Sequence, residues 1–367
     1  MKLNLFICLI LQICMYAQSS DRVSYSADTI SFDKPANLVI LKGNARAKHK
    51  NSVLTASRII LDNNTRVITA HTKVWYTNSV QAVSGRGGRL EYHLQNETVF
   101  FYDSPVITSQ SNSASVSADL IRYERIPDIV YACTNVCFTE FSGSNHTTIT
   151  GSNAHYTVHT AVLILKETCA VHNADMNAYG DEITYFQKHK LTHFSGNVSA
   201  YMPDAENTEF TNSLFADTVH YSARGDESVY ECFKNVKMVQ PRDDIIITGQ
   251  YARHKPSLNY IFVEKEPVLK SGTENFTLMA DTFERFESEN ILYAKGNVVI
   301  SSEKHTAFGA LAVNYLTDKQ CVLTGNPRIT IEGQTFYAQK INFFIDNKSA
   351  IMENQISGSI AESMLSP

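Results

Sequence analysis

Ala27-Asp28-Thr29-Ile30-Ser31-Phe32, followed by Gly43-Asn44-Ala45, decides how the chain folds, because both pieces return many times. The first box reads small residue, often Asp, any residue, aliphatic, any residue, aromatic. It recurs as Ala118-Asp119-Leu120-Ile121-Arg122-Tyr123, Gly180-Asp181-Glu182-Ile183-Thr184-Tyr185 and Ala216-Asp217-Thr218-Val219-His220-Tyr221. Weaker copies start at Ala56, Gly87, Gly151, Gly249, Ala280, Ala310 and Ala338. The second box returns as Gly196-Asn197-Val198 and Gly296-Asn297-Val298, with variants such as Lys73-Val74, Asn135-Val136, Asn235-Val236 and Gly325-Asn326-Pro327. From the first residue of box one to the third of box two is 17 to 20 residues, and neighbouring copies lie 28 to 36 apart. A fixed period of this size marks a repeat architecture of about eleven units of ~31 residues.

Periodicity identifies each unit. Through box two, small or apolar residues alternate, as in Leu292, Ala294, Gly296, Val298 and Ile300, which predicts strands with one covered face. Through box one the alternation slips by one residue. Val116 and Ala118 share a face, and the series resumes at Ile121 and Tyr123. A slip would turn side chains to the wrong face unless a bulge or corner absorbs it, and a small residue suits such a corner. Turn residues separate the boxes at Asp62-Asn63-Asn64, Gln95-Asn96, Ala223-Arg224-Gly225-Asp226 and Asp346-Asn347-Lys348. Each unit therefore reads as a bent hairpin. Stacked antiparallel, the units predict an all-β, extended two-sheet jelly-roll or trough.

Residues 1–19 read as a secretion signal, with Lys2 ahead of an apolar run too short for the roughly 20 residues of a membrane span. A lipid anchor on Cys14 fits poorly beside Leu11-Gln12-Ile13. Residues 20–357 are then the repeat array, for which two tandem domains are one division, and 358–367 a polar tail. The net charge of -5 and the lack of a basic tract speak against nucleic acid as partner. Beyond the signal lie five cysteines, Cys133, Cys137, Cys169, Cys232 and Cys321. Cys133 and Cys137, about 13 Å apart along a strand at ~3.3 Å per residue, cannot pair with each other. All five read as buried or half-buried thiols. His146, His155, His159 and His172 cluster loosely, with the nearest pair, His155 and His159, on a strand and at no metal-ligand spacing. No catalytic site, metal or cofactor is expected. The repeated Asp28, Asp119, Asp181, Asp217 and Asp281 are expected to bond turn backbone at the corners.

The Ala-Asp-x-Ile-x-Tyr box followed by Gly-Asn-Val resembles the OstA/LptA family of lipopolysaccharide-transport proteins, from Ala27 to about Ser357. The resemblance implies a V-shaped β-jelly-roll in the periplasm that binds lipid A acyl chains. It also implies end-to-end joining with proteins of the same fold, from an inner-membrane exporter to an outer-membrane insertion protein. The chain is roughly twice as long as the compact members, so its link in the bridge and the head group of its cargo stay open. Inward positions that would line such a groove are Ile30, Phe32, Ile59, Leu90, Tyr92, Ile121, Tyr123, Ile183, Tyr185, Val198, Val219, Tyr221, Val298, Ile300, Ile341 and Phe343. An ordinary sandwich core would bury the same residues. The edges near Val23 to Phe32 and Lys340 to Met352 are the expected docking strands. Two alternatives carry no lipid: a scaffold filament built on the same edges, and a right-handed β-helix enzyme acting on polysaccharide, which the hairpin turns and evenly spread acids disfavour.

Overall fold

Box one and box two are the two kinds of corner in the computed structural model, which describes residues 22–358 apart from 143–144, 174–175, 204–208, 210, 225–226, 272–275, 303–304, 332 and 346–348. The signal segment, the last nine residues, and the turn residues Gly225, Asp226 and Asp346-Asn347-Lys348 lie outside the described residues. Every strand pairing among the described residues is antiparallel and no α-helix occurs. Contacts divide the chain into two compact units, Met1–Glu167 and Thr168–Pro367.

At box two the backbone takes two successive left-handed residues. Eleven such pairs occur among the described residues: Gly43–Asn44, Thr72–Lys73, Asp103–Ser104, Thr134–Asn135, Glu167–Thr168, Gly196–Asn197, Lys234–Asn235, Lys265–Glu266, Gly296–Asn297, Gly325–Asn326 and Asn354–Gln355. Box one omits only one residue from pairing. Ser195 faces Thr218 and Val198 faces Ala216, so Gly196 and Asn197 bulge opposite the single Asp217. Two extra residues preserve the alternation and one reverses it, which is the parity difference visible in the sequence. The copy assigned to Ala310 starts one residue earlier. Gly309 pairs with Val298 and Leu311 with Lys295, so the copy starts at Gly309 and its unpaired corner residue is Ala310.

Because every long strand breaks pairing at its corner, its halves belong to two sheets. In the first unit, strand Val83–His93 pairs through its later half with Thr98–Tyr102 and through its earlier half with Val106–Ser109. The halves holding Leu41, Ile59 and Ile121 form sheet one, and those holding Ala47, Tyr76 and Val116 form sheet two. The sheets face each other. Tyr76 of sheet two is fully buried among Tyr92, Phe101 and Tyr123 of sheet one, with ring centroids 5.8 to 6.3 Å apart. Burying such a ring contributes about 2–3 kcal/mol.

In the second unit the same design gives two inward rows on sheet one. One runs Ile183, Phe194, Val219, Cys232, Ala252, Val263, Phe283, Ala294, Ala312, Leu323, Ile341. All of these are buried. Three hairpins close through 3-10 turns, Gln187–His189, Pro241–Asp243 and Pro256–Leu258, each ended by a left-handed residue.

Candidate functional site

The corners are clasped by side chains. Asn44 Nδ2 donates to the carboxylate of Asp28 at 3.0 Å, and Asn135 to Asp119, Asn197 to Asp181, Asn235 to Asp217 and Asn297 to Asp281 at 2.9 to 3.1 Å. Box one thus reaches box two on the neighbouring strand, which explains the constant interval between them. Turn backbone is the donor expected from sequence, but among the described residues these Asp carboxylates accept from Asn side chains. It is the Asp backbone N–H that bonds the corner, to Gly43 O and Gly296 O at 2.9 Å. Glycine is needed at Gly43, Gly196 and Gly296. Each has φ of 72 to 75°, and a Cβ there would stand 2.2 to 2.4 Å from the clasping carboxylate.

Of the residues expected to line a groove, fourteen are buried: Ile59, Leu90, Tyr92, Ile121, Tyr123, Ile183, Tyr185, Val198, Val219, Tyr221, Val298, Ile300, Ile341 and Phe343. Ile30 and Phe32 are not, at 41% and 64% exposure. They pair with the buried Leu41 and Val39 and so have inward parity, but strand Thr29–Asp33 pairs on one side only and ends its sheet among the described residues. The C-terminal edge is formed by Ser349–Glu353 and Ser357–Gly358; Lys340–Phe344 pairs on both sides and is interior. Cys133 is exposed and not half-buried, whereas burial pushes the Cys232 and Cys321 thiols up to about 12. His155 stacks on Tyr131 at 5.0 Å, while His159 lies in a turn and not on a strand. No group of three or more His, Cys, Asp or Glu able to hold a metal occurs among the described residues.

Opposite the corners, the turns of one sheet meet those of the other in a mouth. In the first unit it is fastened by polar pairs: His49 Nδ1 with Tyr92 Oη at 2.8 Å, Asn112 Nδ2 to Tyr156 Oη at 2.8 Å and to Val158 O at 2.7 Å, and Lys50 with Glu97, which also pairs with Arg125. Burial pushes the Tyr92 and Tyr156 hydroxyls up to about 12, so they stay neutral partners.

In the second unit, Arg285 of sheet one pairs with Asp243 of a sheet-two turn, and Gln240 donates to Glu287 at 2.8 Å. Arg285 is 2% exposed, and its Nε and Nη1 have no partner among the described residues. Burial raises the Glu287 pKa, but the His254 hydrogen bond and the charges of His254 and Arg285 outweigh it and leave it below the ordinary carboxylate range. These residues escaped sequence reasoning, yet a signal existed. His254, Arg285 and Asn314 occupy the aromatic place of box one in three successive copies, and all three point inward. Beside them the sheets part. One crevice is lined by Asp243, Ile245, Leu269, Phe276, Asn314, Leu316, Lys319 and Ile345, and a second by Phe276, Ile300, His305, Phe343, Phe344 and Ile345. They adjoin at Phe276 and Ile345 and draw walls from both sheets; the one at Phe343 is mainly apolar, whereas the one at Asp243 mixes apolar side chains with Asp243, Asp244, Ser271, Asn314 and Lys319.

A family model described as LptA/(LptD N-terminal domain) LPS transport protein matches residues 27–127, a shorter span than the resemblance to Ser357 anticipated. No curated protein matches. Among solved structures the chain is similar to LptH, the LptA-homologous periplasmic component of the conserved lipopolysaccharide transport device from Pseudomonas aeruginosa. Identity is 15%, over 32% of this chain and 94% of that one, with a TM-score of 0.30. Residues 27–127, which hold four copies of box one, are thus similar to the LptA/LptD N-terminal domain of lipopolysaccharide-transport proteins.

Proposed function

We propose that this chain is a periplasmic component of lipopolysaccharide or related glycolipid transport, shielding acyl chains between its two sheets. The observation that carries the reading is the continuous buried apolar row from Ile183 to Ile341 in the second unit, at whose mouth two small adjoining crevices, of about 30 and 80 Å³, part the sheets. An acyl chain in water costs about 0.8 kcal/mol per exposed CH₂, so a carrier needs an apolar lining open to the lipid. The buried rows beneath the crevices supply more such surface if the sheets part further. The family match over residues 27–127 supports the same class of function. We read the two units as tandem copies of one domain, and residues 1–19 as a secretion signal. The edges support strand addition to proteins of the same fold, in a bridge between inner- and outer-membrane components. Ile30 and Phe32 lie open at one edge, Ile351 and Ile356, 52% and 56% exposed, at the other.

The fastened mouth and filled interior of the first unit favour a second reading for that part, a structural link without cargo. Photo-crosslinkers placed at Phe276 and Ile345, at Tyr123, and at the outward Lys295 separate the two. Lipid labelling at Phe276 and Ile345 well above that at Lys295 is the expected result. Equal labelling at all four positions would refute shielding, and labelling at Tyr123 would refute the cargo-free reading of the first unit.

A further inference from the structure

The corner ridge of the first unit contains one copy in which the clasp is reversed. In the ordinary corner, box one provides the Asp and box two the Gly-Asn pair, as in Asp28 with Gly43 and Asn44. At Gly87-Gly88 the Asp place is Gly88, and the facing pair is Asp103-Ser104. The backbone link persists, with Gly88 N–H donating to Asp103 O at 3.2 Å. The carboxylate, however, has moved to the other strand, where no Asn meets it. Box-two corners leave two residues unpaired and box-one corners one. Beside this corner a depression of about 500 Å³ lies on the outer surface.

Its walls are chemically unlike the rest of this ridge. Trp75, the single tryptophan of the chain, is 46% exposed and lies directly across from Arg86 on the adjacent strand. Lys73, Arg86, Gly87, Asp103 and Ser104 line it together with Trp75. Neither cation has a carboxylate partner among the described residues. By contrast, Arg89 pairs with Glu91, Arg122 with Glu124 and Arg125 with Glu97. Asp103 has no side-chain hydrogen-bond or ion-pair partner among the described residues either.

We infer that this depression binds a saccharide bearing an anionic substituent, a phosphate or carboxylate. The sugar ring lies against Trp75, Lys73 and Arg86 take the anion, and Asp103 and Ser104 take hydroxyls. An aromatic face supplies apolar contact to the C–H side of a sugar, charge-assisted bonds hold the anion, and an acceptor carboxylate selects hydroxyl donors over simple anions. The inference is independent of whether acyl chains enter the interior.

Because Trp75 is the only tryptophan, its fluorescence reports the site directly. The purified protein is titrated with a phosphorylated hexosamine disaccharide, the dephosphorylated disaccharide, inorganic phosphate, and an acylated form of the phosphorylated disaccharide. The expected result is saturable quenching by both phosphorylated disaccharides with similar affinity, and binding at least about tenfold weaker for the neutral sugar and for phosphate alone. Lys73→Gln and Arg86→Gln, both exposed and compatible with folding, should each weaken binding several-fold. The triple change Gly88→Asp, Asp103→Gly, Ser104→Asn rebuilds the ordinary clasp and should abolish it with strand circular dichroism unchanged. Equal binding of the neutral sugar, equal binding of phosphate alone, dependence on the acyl chains, full binding by the rebuilt clasp, or no saturable response up to millimolar ligand would each overturn the inference.

Discussion

Gly296→Ala tests the clasp. At φ of 74° an alanine is held in the left-handed region, at a cost of about 1–2 kcal/mol. Its Cβ would also lie 2.2 Å from Asp281 Oδ2, so the carboxylate must swing out. Asn297 then loses its bonds to Asp281, now 3.1 and 3.0 Å long, worth about 1 kcal/mol together at this exposed site. The single change should therefore cost about 2–3 kcal/mol, and Asp281→Ala about 1 kcal/mol. In the double variant the crowding is gone and the clasp is lost only once. Its cost should fall below the sum of the singles by about 1 kcal/mol. Amide exchange at Val298 and Phe283, on the two clasped strands, reads the local opening free energy without assuming that the units unfold together. Strict additivity, or a Gly296→Ala variant as stable as the parent, would refute the clasp as the reason for glycine.

The mouth of the second unit offers two further tests. Asp243→Ala strands the buried Arg285 charge and should cost about 3 kcal/mol in urea unfolding, whereas Arg285→Met with Asp243→Asn should come within about 1 kcal/mol of the parent. A double variant no better than Asp243→Ala contradicts this. For Glu287 the folded pKa lies below the ordinary 4.5, so its contribution is present above that value and lost as pH falls through the folded pKa. The stability deficit of Glu287→Gln should be full above the ordinary carboxylate range and shrink as pH falls through the lowered folded pKa. A deficit constant with pH would show that the carboxylate charge is not what matters.

Strand identity, antiparallel pairing, the repeat and both corners were readable from sequence, because side-chain alternation has a period of two and one or two extra residues leave opposite traces in it. Gly296-Asn297 and Asp281 announced a corner for that reason. Burial of Ile121 or Ile341 followed from parity alone. Parity could not say that Ile30 and Phe32 are exposed, because exposure depends on whether a strand has a neighbour, and theirs is the last of its sheet. Nor could it reveal the partners across the mouth. Arg285 and Asp243, or Lys50 and Glu97, are over forty residues apart and meet only because the sheets close on each other. Local sequence determined the bent hairpin, since alternation and turn chemistry act over a few residues. Tertiary structure decided which inward faces are packed shut, which part into crevices, and where Trp75, Lys73 and Arg86 gather around one depression of the ridge.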